Sequence, residues 1–261
     1  MNLRAMVPDD ADEAAGLIGM TFPEPVRQYA AYAQSGTAAH LRDRIEGREH
    51  PGPEGLVVAE EQGTIVGCAD VRGDGISALL AYLAVAPAHR GHGLGTDLLV
   101  HALDAFPSAT DVALDVFAEN GSARRLYERL GFLVIERRGW YVRPLPKPDH
   151  SRPLGQGRSE AHRQDRYGFS LLHLGSGERP RTLGRIGDAV LRCPTETEFC
   201  DDSILAIART AVPGLTEALL VAEQPPTAPG TRRIAEALRM SSPTRLVLAA
   251  ARAPMRQEGR G

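Results

Sequence analysis

The 261-residue chain has almost no lysine: Lys147 stands alone among thirty basic residues, and the other twenty-nine are arginine. Cysteine is equally sparse. Cys68, Cys193 and Cys200 are an odd number without metal-ligand spacing, which excludes a disulfide framework and gives no metal site. No run of 18 apolar residues occurs, so no conventional membrane-spanning helix is expected. The stretch Met1 to Asp10 has no signal-peptide apolar core, and the expected location is the cytoplasm. A basic stripe is also missing, and with a net charge of −3 neither nucleic acid nor a membrane surface is an expected partner.

Hydrophobic residues make up 43% of the chain and charge is spread along it, as in ordinary globular proteins. The charge is uneven between halves: residues 1–150 carry −7 and residues 151–261 carry +4. An acidic first half suits a cationic amine.

One stretch dominates the rest. The apolar run ending Leu83-Ala84-Val85 stops at Pro87, and Arg90-Gly91-His92-Gly93-Leu94-Gly95-Thr96 follows. An amphipathic run from Leu94 to Phe106 then has apolar residues at helical spacing. A strand, a glycine turn and a helix N-terminus in succession form an anion site, because first-turn N–H groups and the helix dipole both face the turn. Gly91, Gly93 and Gly95 are expected to take positive φ and admit phosphate oxygens close to the backbone. The spacing fits neither of the two commonest nucleotide loops: no Lys-Ser or Lys-Thr pair follows, and the glycines alternate.

A second segment lies about 25 residues on by motif spacing. Asp111 to Phe117 reads as a strand, Asn120-Gly121 breaks it, and Ala123 to Leu130 reads as a helix closed by Gly131-Phe132. Arg90-x-x-Gly93 with Gly91 and Gly95, followed in order by Asn120, Leu126-Tyr127 and Gly131-Phe132, resembles the two signatures of the GNAT acetyltransferase superfamily. The resemblance covers about the first 145 residues.

That resemblance implies the GNAT fold, an α/β (α+β) unit with a mixed, mostly antiparallel sheet flanked by helices. Element expectations follow its order. They are a strand at Leu3–Met6, a helix at Ala11–Met20, helices over Val26–Ala33 and Thr37–Glu46, and a hairpin of Leu56–Glu60 and Ile65–Val71 about Gln62-Gly63. After these come the strand Ile76–Val85 and a closing strand pair, Leu133–Arg137 and Trp140–Val142. Beyond residue 145 a Pro/Gly-rich linker is expected over 146–165 and a smaller C-terminal α/β domain over 166–252, with a flexible tail over 253–261. In that domain Phe169–Leu174, Ala218–Ala222 and Leu246–Ala250 read as strands, and Ile204–Ala211 and Thr231–Met240 as helices. Two readings stay open for it: a degenerate second GNAT-like half, or an unrelated supporting appendage. Gly175-Ser176-Gly177 reads as a turn. The domain's role is equally open between capping the substrate pocket and forming a homodimer contact.

The resemblance also implies the chemistry. Acetyl-CoA is the implied cosubstrate, with no metal, and the implied reaction is direct acetyl transfer to a primary amine of a small molecule or protein through a tetrahedral intermediate. Leu83, Ala84 and Val85 would run along the pantetheine arm, with the Val85 N–H toward the thioester oxygen. Arg90, Gly91, His92, Gly93, Leu94, Gly95 and Thr96 would hold the pyrophosphate. Asn120 would touch the pantetheine arm or hold the strand–helix turn. Tyr127 matches the general acid, with packing against Phe132 as the structural alternative. The family's glutamate base falls at Leu79, which takes no proton, so Asp115 is the candidate base, with Asp70, Glu24, Tyr82 and ordered water as alternatives. The aromatics of Phe22–Tyr32 and Trp140-Tyr141 are candidates for lining the amine pocket. The absent glutamate keeps a second function open, a non-catalytic acyl-CoA sensor or assembly protein.

Overall fold

The structure, a computed structural model, describes residues 1–49, 54–148, 158–175 and 181–252. The core of the expected linker, the Ser176-Gly177 turn and the C-terminal tail lie outside the described residues. No helix among the described residues is long and apolar enough to cross a membrane.

Contacts divide the chain into two compact units that interleave in sequence. The first unit comprises residues 1–17, 50–136 and 238–261, and the second comprises 18–49 and 137–237. The sequence reading places its domains end to end instead.

In the first unit β1 (Asn2–Ala5), β2 (Glu54–Glu61), β3 (Thr64–Gly73) and β4 (Ser77–Val85) pair antiparallel in that order. β5 (Asp111–Phe117) joins β4 in parallel, and the next neighbour of β5 is β12 (Arg232–Pro243). The β2–β3 hairpin turns at Gln62 and Gly63, both at positive φ (52° and 81°), as a two-residue hairpin turn requires. The parallel connection between β4 and β5 is made by α3 (Leu94–Leu103). α3 buries Leu94, Leu98, Leu99, Ala102 and Leu103 on a core shared with Val112, Leu114 and Val116 of β5 and Leu238 and Met240 of β12. Gly55 makes this close docking possible: a Cβ there would stand 2.2 Å from the Ala102 carbonyl oxygen.

The second unit repeats this topology. β7 (Arg158–Ser159), β8 (Phe169–Leu174), β9 (Arg181–Ile186) and β10 (Val190–Arg192) pair antiparallel in that order. β11 (Glu217–Ala222) joins β10 in parallel after α6 (Glu196–Cys200) and α7 (Asp202–Ala211). The next neighbour of β11 is β6 (Leu133–Pro144). Each unit thus contains four antiparallel strands, a helical crossover, a parallel fifth strand, and a sixth strand supplied by the other half of the chain. The fold class is therefore as expected from sequence, and of the two readings of the C-terminal half the topology supports the GNAT-like one.

Four element expectations are corrected. Thr231–Met240 forms strand β12, and Leu246–Ala250 lies within a helix, α8 (Thr244–Arg252). Alanine, glutamate, leucine and methionine give residues 231–240 a helical look, but a place beside β5 in the sheet overrides propensity. The expected pair Leu133–Arg137 and Trp140–Val142 is the single strand β6, because Gly139 leaves room for the Tyr141 ring, which lies 2.4 Å from where a Cβ would stand. Finally, α5 (Ala161–Tyr167) occupies the end of the expected linker.

α5 packs on α2 (Thr37–Ile45) through a charged cluster in the second unit. Asp43 is buried, and its carboxylate accepts from Arg166 (2.5 and 2.7 Å) and from Arg48 (2.9 Å). The Tyr167 hydroxyl lies 2.6 Å from Asp43 and 2.9 Å from Glu49. The Arg166 guanidinium, with Tyr167 and Arg48, holds the Asp43 carboxyl well below the usual carboxylate range, while burial opposes the shift. A depressed folded-state pKa means stability that is full above the unfolded value, about 3.9, and is lost as the pH falls below it. Asp43→Ala should therefore destabilise the protein by about 3 kcal/mol in urea unfolding at pH 7, and the difference from wild type should shrink below about pH 4.

Candidate functional site

The site begins with a break in a ladder. β4 and β5 pair in parallel from Ser77↔Asp111 to Leu80↔Leu114, and the pairing stops there although both strands continue. On the other edge of β4 the register with β3 steps from Val71↔Leu80 to Asp70↔Tyr82, so Ala81 is an extra residue that bulges out of β4. A bulge bends its strand and sharpens the local twist. It falls at the last paired position, and the two strands separate beyond it.

The backbone edges facing this gap follow from alternation. The Ala86 N–H donates to the Val66 carbonyl on β3 (2.9 Å), so the N–H groups of Leu83 and Val85 point the other way, into the gap. The Arg90 side chain closes the lower end of this edge by donating from Nε to the Val85 carbonyl (2.9 Å). Arg90 thereby joins the loop to the strand.

The loop itself is built at Gly91 and Gly93, with φ of 83° and 89°. Gly93 is the N-cap of α3, and its carbonyl accepts from the N–H groups of Thr96 (2.8 Å) and Asp97 (3.2 Å). The Leu94 and Gly95 N–H groups, ahead of these two, have no acceptor one turn back in the helix and face the loop. Gly95 departs from the expectation: it is helical and not at positive φ. Its glycine serves packing, since a Cβ would meet Leu126 at 3.2 Å and Leu83 at 3.6 Å. Beside the loop, Met1, Glu61, His89, His92 and Leu94 line a hollow of about 210 Å³. There the His89 ring, 3.0 Å from Glu61, holds that carboxyl below its usual range.

Across the gap, Asn120 caps α4 (Gly121–Arg129), its side-chain oxygen accepting from the Ala123 N–H (3.2 Å) and the Ser122 hydroxyl (3.1 Å). Of the two roles considered for Asn120, the structure displays the one at the strand–helix turn. Tyr127 sits on α4, buried, with its ring edge-on to Phe132 at 5.7 Å. Burial pushes its phenol pKa upward, so the group is protonated at neutral pH.

The carboxylates considered as bases are all held by arginines. Both Asp115 oxygens accept from Arg239 of β12 at 2.7 Å. Asp70 is buried and paired with Arg72 (2.6 Å), and it faces Tyr82 across the β3–β4 ladder. Glu24, in the second unit, is largely exposed and paired with Arg27 (2.9 Å). Sequence reasoning missed Arg239 because it lies in the segment read as a helix. It missed Ala81 because a bulge in an apolar run leaves no mark in residue type.

Comparison with known proteins agrees with this geometry. The model of the Acetyltransferase (GNAT) family matches residues 17–132. N-alpha-acetyltransferase 40 of Saccharomyces cerevisiae is 54% identical over 57 residues, which is 18% of this chain and 20% of that protein. N-alpha-acetyltransferase 30 of Schizosaccharomyces pombe is 33% identical over 95 residues, or 34% of this chain and 63% of that protein. The matches thus span less than two thirds of either curated relative. Among solved structures, a tandem GNAT protein from the clavulanic acid biosynthesis pathway aligns over 93% of this chain and 98% of its own, with a TM-score of 0.59 at 13% identity. That likeness concerns the fold. The glycine loop, the separated strands and the capped helix all lie within the segment, residues 17–132, that matches the acetyltransferase (GNAT) family.

Proposed function

We propose that the chain is an acetyl-CoA-dependent N-acetyltransferase that acetylates a primary amine, an α-amino group of a protein or peptide being the favoured acceptor. The observation that carries the reading is the conjunction of an anion-binding loop with an unpaired strand edge in one unit: the Gly91–Gly93 turn opens directly onto the gap between β4 and β5. The curated relatives, both N-alpha-acetyltransferases by name, support the choice of acceptor.

Bound acetyl-CoA supplies an activated acyl group and a thiol leaving group. The chain's own residues do the rest. The first-turn N–H groups of α3 and the dipole of that helix favour the pyrophosphate. The Leu83 and Val85 N–H groups, pointing into the gap, extend β4 as a partial ladder for pantetheine amides, and the Val85 N–H is the donor for charge on the thioester oxygen. The Tyr127 phenol, kept protonated by burial, donates a proton to the departing thiolate, whose conjugate acid has a pKa near about 8.5.

The acceptor amine must arrive uncharged. Leu79 offers no base, and Asp115 would have to give up a hydrogen bond from Arg239 to take a proton. Deprotonation through water on the acceptor side fits these contacts better than a single carboxylate. An acyl-CoA sensor without turnover would keep the loop and gap, with Tyr127 serving only to pack against Phe132.

Two substitutions separate binding from chemistry. Gly93→Val forces a β-branched residue into the left-handed region at the N-cap of α3, and acetyl-CoA affinity by calorimetry should fall at least about tenfold. Unchanged affinity would remove the loop from the site. Tyr127→Phe should lower kcat by about a hundredfold with acetyl-CoA affinity within about twofold of wild type. Wild-type turnover, read as free thiol released in the presence of an N-terminal peptide, would refute the general-acid role.

A further inference from the structure

We propose that the Asp115–Arg239 ion pair is a latch that keeps the β4–β5 gap open, making strand β12 a positioning element for acetyl-CoA. The inference rests on the reading of that gap as the acetyl-CoA site.

Three observations meet at this pair. Asp115 is the first residue of β5 past the last β4–β5 pairing, Leu80↔Leu114, so it stands where the ladder opens. Its two oxygens accept from Nε and Nη2 of Arg239, each at 2.7 Å, in the bidentate geometry that is the strongest form of such a pair. Arg239 belongs to β12, which neighbours β5 on the edge away from β4. On β12 the flanking residues Leu238 and Met240 are buried in the α3 core, which leaves Arg239 on the opposite face, the face of Asp115.

The physical problem is that an opened parallel ladder tends to close. Past Leu114 the β4 edge turns the Leu83 and Val85 N–H groups toward β5, and continued pairing of the two strands would engage them. The Ala81 bulge disfavours closure from the β4 side. On the β5 side a cross-strand pair to β12 draws the strand outward at the point of divergence. With closed and open forms in exchange, the apparent dissociation constant rises as the inverse of the open fraction. The role of Asp115 is then to hold a strand rather than to accept a proton.

The experiment uses the full chain and begins with wild-type acetyl-CoA binding by calorimetry. No binding by wild type would overturn the underlying reading of the site. With wild type binding, Arg239→Met should raise the acetyl-CoA dissociation constant about fivefold to tenfold, and KM for acetyl-CoA in step, with kcat at saturation changed less than about twofold. Asp115→Asn should do the same and leave the pH profile of kcat unaltered. The exchanged pair Asp115→Arg with Arg239→Asp should recover most of the lost affinity, which a general loss of packing would not. Overturning results are affinity unchanged in Arg239→Met, or a collapse of kcat in Asp115→Asn with loss of the profile's acidic limb. Should Arg239→Met fail to fold, Arg239→Lys keeps the charge but loses the bidentate fork, and an intermediate affinity is expected; wild-type affinity there would equally overturn the latch.

Discussion

The structure depends on one interrupted ladder. Backbone N–H and C=O groups are obligatory hydrogen-bonding groups, and a sheet normally pairs them wherever two strands run side by side. Here β4 and β5 pair over four registers and then part. Everything that gives the first unit a use lies downstream of that parting. The Ala81 bulge turns β4 away, the Gly91–Gly93 turn lifts the chain into α3, and Gly55 and Gly95 let α3 lie close against the strands. The gap is an open edge inside a protein, and an open edge invites an extended amide-bearing ligand as another strand would.

The second unit shows what happens when the same topology lacks the interruption. Its parallel pair, β10 and β11, runs from Val190↔Glu217 to Arg192↔Leu219, and the next residue, Cys193, still donates its N–H to the Leu219 carbonyl at 2.8 Å. The ladder is therefore closed to the end of β10, whereas β4 continues past its last pairing with β5. Cys193 is no more available for chemistry than the gap is: burial pushes its thiol up to about 12, far from the thiolate that reactivity needs. Unit two is stabilised instead by charge clusters such as Asp43 with Arg166 and by the Tyr29–Glu217–Arg232 triad, in which Tyr29 lies 2.7 Å from Glu217 and 3.0 Å from Arg232.

Much of this was legible in the sequence, and the reasons differ by element. The loop, the Asn120 cap and the Gly131 helix end are local: each is set by residues within one turn, and their types name them. The β5 strand and the β2–β3 hairpin were legible for the same reason, through alternation and a Gln-Gly turn. What escaped was non-local. Residues 232–243 carry helix-forming side chains and become a strand because they add to the sheet beside β5. Leu246–Ala250 carries strand-like letters and becomes helical with Val247 buried in the core, Leu248 and Ala250 packed against it and Leu246 exposed. Which of the two closing strands pairs with β5 is a choice between β6 and β12 that no local pattern records, and with it went Arg239.

The repeated topology also separates fold from site. Where the first unit has Pro87 followed by Arg90 and alternating glycines, the matching turn of the second reads Cys193-Pro194-Thr195, with Thr195 capping α6 through its hydroxyl. Proline has no N–H to offer an anion, and the threonine oxygen takes the N–H of Thr197 for itself at 3.2 Å. A helix of five residues adds little dipole. The strand order, the parallel crossover and the borrowed sixth strand survive this change intact, because they are fixed by apolar burial on α6, α7 and the strands beneath them. A sheet needs only its buried face to be preserved, whereas an anion site needs particular backbone groups left unpaired. The second requirement is the costlier to keep, since every neighbouring hydroxyl or carbonyl competes for those groups, and among the described residues the first unit meets it where the Thr195 turn does not.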